Sequence, residues 1–207
     1  PSVAQGYYEN KQATEDIFMQ KIIGKEQPFL ATGDTALLWK GELYFVGRIK
    51  DIIIIRGRNY YPHDIELVLA GVEELRPGCL MAYASGAEDE SEHLAVAVEV
   101  RADLLKDLEV FSKYVLTSID HKIIEIVGKH FQIAPTERLY LKPGTIAKTS
   151  SGKIKHLRNR ETFGEENFAG LIERVSSSVE ADDFAVEENK PSLESKLTTL
   201  FRKVVSL

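Results

Sequence analysis

Residues 79–100 read CLMAYASGAEDESEHLAVAVEV, and this stretch decides the fold. Cys79 to Ala84 and His93 to Val100 are short apolar runs bounded by turn-forming and acidic residues, the pattern of two strands joined by the acidic loop Glu88-Asp89-Glu90. Working upstream, Pro62 suits the first turn of a helix, where its missing N–H costs nothing. That helix runs to about Ala70, with Ile65, Val68 and Leu69 on one face. Before it, Ile52-Ile53-Ile54-Ile55 is β-branched throughout and predicts a strand buried on both faces, and Arg56-Gly57-Arg58-Asn59 turns the chain. Downstream, Asp103 is placed to cap a helix carrying Leu104, Leu108, Phe111 and Val115 on one stripe. A second helical run, or a continuation of the first, reaches Val127. Arg138 to Leu141 reads as a short strand and Ile154 to Thr162 as a short basic helix. After about residue 50 the order is β-α-β-β-α-β-α. It predicts an α+β domain, a small mixed sheet with packed helices.

The two ends read differently. Asn10 to Ile23 predicts a helix, with Ile17, Phe18 and Ile22 at helical spacing and Gly24 ending it. The turn Thr32-Gly33-Asp34 follows. Ala36 to Trp39 and Glu42 to Val46 then predict a hairpin with Lys40-Gly41 at its tip. Pro1 stands where an initiator methionine would, and the chain reads as a fragment of something longer. Residues 176–191 are Ser-rich, then acidic, then Pro-bearing, as in a linker. Ser192 can cap a last amphipathic helix bearing Leu193, Leu197, Leu200, Phe201, Val204 and Val205, the start of a further domain.

Composition narrows the classes. The chain has 207 residues, 43% of them hydrophobic, and no apolar run approaches the ~20 residues that span a bilayer. Its single cysteine, Cys79, lies in an apolar segment. A lone buried thiol points to a reducing, cytoplasmic setting rather than a disulfide framework. His63, His93, His121, His130 and His156 show no metal-ligand spacing, so no metal site is expected within the chain. A net charge of −6 argues against nucleic acid as a partner of the whole chain. The charge is uneven, however. Lys142, Lys148, Lys153, Lys155, Arg158 and Arg160 form a segment free of acids, and Glu180, Asp182, Asp183, Glu187 and Glu188 form one free of bases.

The chemistry concentrates in Gly144-Thr145-Ile146-Ala147-Lys148-Thr149-Ser150-Ser151-Gly152-Lys153, between a strand and a helix. Glycines let backbone N–H groups approach a ligand, and hydroxyl and ammonium groups bind oxyanions. The spacing excludes a Walker A loop, because too many residues separate Gly144 from Gly152 and Ile154 follows the lysine. Two readings of the loop stand side by side: an anion-handling loop, and a basic turn that solvates a helix start.

Three more segments bear on that choice. Phe29-Leu30-Ala31-Thr32-Gly33-Asp34 ends on a carboxylate with two acceptor oxygens, though Asp is also common in plain turns. Gly47-Arg48-Ile49-Lys50-Asp51 carries Arg48, whose ordinary role would be a surface ion pair with Asp51. Arg56-Gly57-Arg58-Asn59-Tyr60-Tyr61-Pro62-His63-Asp64-Ile65-Glu66 carries Arg58, otherwise a solvated turn arginine.

Together, over roughly residues 1–170, the four motifs resemble those of adenylate-forming enzymes, and the Arg-Gly-Arg-Asn stretch looks most like the fatty acyl-AMP ligase branch. The resemblance implies a C-terminal lid domain over residues 50–175, preceded over residues 1–49 by the hairpin-containing end of the large N-terminal adenylation domain, with Lys50 at the hinge between them. It implies that Asp34 binds the ribose hydroxyls of AMP, that Arg48 contacts the nucleotide, and that Arg58 complements the phosphates after domain rotation. Lys153, from its place in Ser-Gly-Lys-Ile, becomes the catalytic lysine of adenylation. Lys148, Lys155 and Arg158 solvate the loop, or meet an acidic carrier protein or the phosphopantetheine phosphate. The intact enzyme would use ATP and Mg²⁺, bound mainly by the N-terminal domain, to activate a fatty acid for the phosphopantetheine thiol of an acyl carrier protein. An acyl-CoA ligase and a peptide-synthetase adenylation domain are the neighbouring alternatives. A basic binding module for nucleic acid or an acidic protein is the alternative of another class. One departure stands out: Ala147 occupies a place where the family commonly has proline, and this is expected to loosen the start of the loop.

Overall fold

The computed structural model describes residues 3–86, 93–107, 109 and 111–177. The acidic loop at Glu88-Asp89-Glu90, residue Leu108, most of the expected linker and the helix expected after Ser192 lie outside them.

A four-stranded mixed sheet forms the centre. Its strands are β5 (Leu75–Ser85), β6 (His93–Val100), β7 (Glu137–Leu141) and β8 (Leu171–Ser176), in that spatial order. The β5–β6 and β7–β8 pairs are antiparallel and β6–β7 is parallel. The strands expected at 79–84 and 93–100 are thus the spine of the fold. Their near-continuous apolar runs follow from burial on both faces. Leu80, Ala82, Leu94, Val96, Val98 and Val100 point to one side, where they pack with Ile65 and Leu69 of helix α2 (Pro62–Leu69) and with Ile119, Ile123 and Val127 of helix α3 (Leu116–Phe131). Met81, Tyr83, Ala95, Ala97, Leu139 and Leu141 point to the other, against Ile146 and Phe163. Phe163 ends helix α4 (His156–Phe163).

Two polar links fasten the helices of the first face. Glu66 of α2 reaches the outer strand, where its Oε1 accepts the Ala82 N–H at 3.1 Å. An edge strand has backbone donors without a neighbouring strand, and this carboxylate satisfies one of them. Asp120 of α3 accepts from the Arg138 guanidinium and the Tyr140 hydroxyl of β7, both at 2.6 Å. Arg138 is buried, and it also donates to the Pro135 carbonyl and to Ser177 Oγ.

Two small antiparallel pairs precede the sheet. Strands β1 (Asp34–Trp39) and β2 (Glu42–Arg48) form the expected hairpin. Lys40 and Gly41 at its tip both have positive φ (50° and 83°), the two-residue turn whose twist matches its strands. Strands β3 (Ile53–Ile55) and β4 (Arg58–Tyr60) pair across Arg56-Gly57.

Several sequence expectations are corrected. Helix α1 covers Lys11–Phe18, capped by the Asn10 side chain, and stops well short of Ile23. Gln20 exchanges backbone hydrogen bonds with Phe29, which requires extended chain where the helix would have continued. The isoleucine run is buried at Ile53 alone on its core side, while Ile54 is half exposed, because β3 pairs only with the short β4 and its other face stays open. Asp103 caps no α-helix. It sits in a 3-10 turn, Ala102–Leu105, with both carboxylate oxygens taken by Arg101. The long helix begins later, after a wide π-type turn at Phe111–Val115, and passes Val127 to reach Phe131. Helix α4 starts at His156 because Ile154 and Lys155 pair back onto the preceding loop. Strand β8 was not expected at all, and it runs through Ser176, the first residue assigned to the linker.

Burial holds the Glu66 carboxyl above its ordinary pKa, and the Ala82 N–H pulls it back only in part. A folded-state pKa above the unfolded one contributes stability that is present at low pH and lost as pH rises through the folded value. Glu66→Gln keeps an acceptor for Ala82 and removes the titration. The Tm of the wild type should therefore fall relative to that of Glu66→Gln as pH rises from about 4 to about 7. Parallel Tm curves for the two proteins over that range would contradict the assignment.

Candidate functional site

Sheet register determines where the lysine loop attaches. On β6, residues alternate between faces. Glu99 therefore falls on the same side as Ala95 and Ala97, facing the loop. It is fully buried. Its Oε1 accepts the Ile146 N–H at 2.7 Å and its Oε2 pairs with Arg76 at 2.7 Å. One residue further on, the buried Asn159 of α4 brackets Ala147. Its Oδ1 accepts the Ala147 N–H at 2.8 Å, and its Nδ2 donates to the Ala147 carbonyl at 3.0 Å. The Lys155 N–H donates to the same carbonyl at 2.9 Å.

The start of the loop is therefore held firmly, against the expectation that Ala147 loosens it. The reason is chemical: proline has no N–H, whereas alanine has one, and here it is used.

Beyond Ala147 the loop folds back on itself. Lys148 bridges to Ile154 in an antiparallel pair. The Thr149 N–H donates to the Lys153 carbonyl at 2.8 Å, and the Lys153 N–H donates to Thr149 Oγ1 at 3.0 Å. The Gly152 N–H closes the turn onto the Thr149 carbonyl at 2.9 Å, with Gly152 at φ +83°, where a Cβ would be strained. The result is a tight hairpin-like loop with the Lys153 side chain exposed near its tip.

The two lysines of the loop differ. Lys148 is half-buried, and its Nζ donates to Cys79 Sγ at 3.0 Å. Lys153 hydrogen-bonds within the loop through its backbone, and its side chain is exposed. Lys142, Lys155, Arg158 and Arg160 are exposed as well.

Asp34 and Arg48 are opposite each other at the open end of the β1–β2 hairpin, with Arg48 Nε 3.3 Å from Asp34 Oδ1. The ion pair of Arg48 is with Asp34 and not with Asp51: antiparallel register fixes the first, and Asp51 lies in the next turn. Both side chains are partly exposed, which makes the pair weak. Lys50 lies in that 3-10 turn, Ile49–Asp51, directly after the hairpin. Arg58 opens β4 and is exposed. Among the described residues, no hydrogen bond or ion pair joins Lys153 or Arg58 to the Asp34–Arg48 pair.

Among the described residues no group of three or more His, Cys, Asp or Glu side chains could hold a metal ion. No described helix is long and apolar enough to cross a membrane.

The sequence reading does not single out Glu99 or Asn159. For Glu99 a signal exists, a lone acid inside an otherwise apolar strand. For Asn159 there is only the mild oddity of an asparagine inside a short helix.

No family model matches the chain. The medium-chain-fatty-acid–[acyl-carrier-protein] ligase JamA of Moorena producens (strain JHB) is 37% identical over 169 residues, covering 80% of this chain and 27% of JamA. The putative fatty-acid–CoA ligase fadD21 of Mycobacterium leprae (strain TN) is 32% identical over 175 residues, covering 82% of this chain and 29% of fadD21. A solved structure among the fatty acyl-adenylate ligases from E. coli and L. pneumophila superposes with a TM-score of 0.61 at 28% identity, covering 79% of this chain and 26% of that one. The chain thus spans less than a third of the length of these relatives. Its homologues are fatty acyl-AMP and fatty acyl-CoA ligases, and by sequence and fold the chain is part of the adenylate-forming family.

Proposed function

We propose that this chain is the C-terminal portion of a fatty acyl-AMP ligase, with residues 50–175 as the mobile lid and residues 1–49 as the end of the large domain. The observation that carries the reading is the lysine loop: a rigid turn, tied to the sheet, that presents one exposed ammonium at Lys153. The exposed apolar side chains of the hairpin, Leu38, Leu43 and Phe45, fit a surface that the rest of a large domain would cover. The similarity to JamA favours an acyl carrier protein as the acceptor. The single free thiol suits a reducing, cytoplasmic setting.

In the first half-reaction a fatty acid carboxylate oxygen attacks the α-phosphorus of ATP, and pyrophosphate leaves. Both reactants are anionic. An ammonium placed between them offsets their repulsion and the charge that builds on the oxygens in the transition state. Lysine's compact charge suits this better than the planar fork of arginine. Asp34 uses one carboxylate oxygen for Arg48, and the second accepts from a ribose hydroxyl. Arg48 then lies beside the nucleotide and Lys50 at the hinge, and Arg58 approaches the phosphates once the lid has turned. In the second half-reaction the phosphopantetheine thiol attacks the acyl carbonyl and AMP leaves. Magnesium, held outside this chain, supplies charge neutralisation on the phosphates. Closure of the lid keeps water from the acyl-adenylate.

In the full-length enzyme, Lys153→Ala should slow acyl-adenylate formation by about a hundredfold or more. Transfer from preformed acyl-adenylate should change by less than about threefold, because the lysine has left the site by then. Single-turnover measurement of both half-reactions decides this, and equal losses would sink the role.

Asp34→Ala should raise the KM for ATP about tenfold with a smaller change in kcat, since a ribose contact serves ground state and transition state alike. A kcat effect larger than the KM effect would place Asp34 elsewhere.

Holo-carrier protein should accept the acyl group in preference to CoA when the two are offered at equal concentration. A preference for CoA would move the protein to the acyl-CoA ligase branch, the class in which fadD21 is named.

A further inference from the structure

We propose that Asn159 is a positioning residue for Lys153, acting as a clamp on Ala147 that sets the direction of the lysine loop. This rests on the reading of Lys153 given above. It is carried by one juxtaposition: a side chain with 1% exposure spends both of its polar atoms on a single loop residue, accepting the Ala147 N–H at 2.8 Å and donating to the Ala147 carbonyl at 3.0 Å.

The chemistry of the pairing is selective. The residue at 147 presents a donor and an acceptor, and an amide side chain answers both at once through two separate atoms. Leucine would answer neither, and aspartate would answer only the donor. Asn159 is interior to α4, where asparagine is a mediocre helix former, so helix formation does not explain its presence.

The clamp reaches Lys153 through backbone pairing. Ala147 precedes Lys148, which bridges to Ile154, and Thr149 holds Lys153 from both sides of the turn. With those pairs formed, the loop beyond Ala147 behaves as one piece, and rotation at Ala147 swings the Lys153 ammonium. A proline at 147 would restrict that rotation through its ring. Alanine has no such restriction, and Asn159 supplies it through two hydrogen bonds, alongside the Lys155 N–H that also donates to the Ala147 carbonyl. Glu99 anchors the preceding residue, so the clamp begins at a point fixed to the sheet.

The test uses the full-length protein with Asn159→Leu, and Ala147→Pro on the same background. In Asn159→Leu, amide hydrogen exchange should quicken across residues 147–153 while β6 stays as protected as in the wild type. The kcat for acyl-adenylate formation should fall between about tenfold and about a hundredfold, the cost of misplacing a catalytic group by an ångström or so. Transfer from preformed acyl-adenylate should stay within about threefold. Adding Ala147→Pro should recover adenylation about tenfold, because the ring replaces the lost restriction. Unchanged exchange in the loop, equal loosening of β6, or no recovery in the double variant would each overturn the proposal. Lys153→Ala is measured alongside. Should it spare adenylation, the reading of Lys153 fails, while exchange at 147–153 in Asn159→Leu still decides whether Asn159 holds the loop.

Discussion

A buried carboxylate organises this domain. Glu99 lies inside a strand whose two faces are both covered, and a charge there is tolerated only while it is paired. The Ile146 N–H and the Arg76 guanidinium supply that pairing. Stripping the partners from a buried ion costs about 3–5 kcal/mol, a large share of the stability of a small domain. The lysine loop is therefore part of what keeps the second face of the sheet closed. Ile146, buried in the apolar cluster with Phe163, makes the same point with its side chain.

A loop so anchored moves a charge differently from a flexible tether. If the ammonium of Lys153 hung on a mobile loop, each approach to the reacting phosphate would require fresh ordering of several residues, at roughly 1–2 kcal/mol each. Here the ordering has been done by folding. On the proposed reading, delivery of the charge needs only rigid-body motion of the domain, and the compact, hydrated ammonium stays in water until that motion brings it in. Lys148 serves the opposite purpose. Its ammonium is turned inward to Cys79, which ties the loop to β5.

The sheet was legible in the sequence because its strands are covered on both sides, so Cys79–Ala84 and His93–Val100 could be read as unbroken apolar runs. The lysine loop was legible because glycine, hydroxyl and lysine residues cluster there without an acid. What could not be read was set by partners distant in sequence. Helix α1 ends at Phe18 because Phe29 claims the backbone of Gln20. Asp103 looked like a cap until Arg101 took both of its oxygens. Strand β8, with Glu173 and Arg174 at its middle, lacks a strand's apolar alternation and exists because β7 has an edge to offer. Asn159 carries no local mark either, since its two partners are both on a residue twelve positions back.

The proposed site is divided between two sheets. Asp34 and Arg48 belong to the β1–β2 hairpin, and Lys153 hangs from the four-stranded sheet. Between them the chain passes through the Ile49–Asp51 turn. The Ile49 N–H donates to the Gly33 carbonyl at 2.9 Å, so Ile49 still moves with the hairpin. Ile53 is fully buried in the core of α2 and α3, so it moves with the sheet. On the proposed reading, a rotation that carries Lys153 toward or away from Asp34 must then be absorbed between these two points, at Lys50, Asp51 and Ile52. Hinges work where a few residues at the end of an element change φ and ψ without breaking packed contacts. Lys50 meets that condition: it is exposed, it sits in a short turn, and no partly buried side chain of its own has to be repacked when its backbone turns.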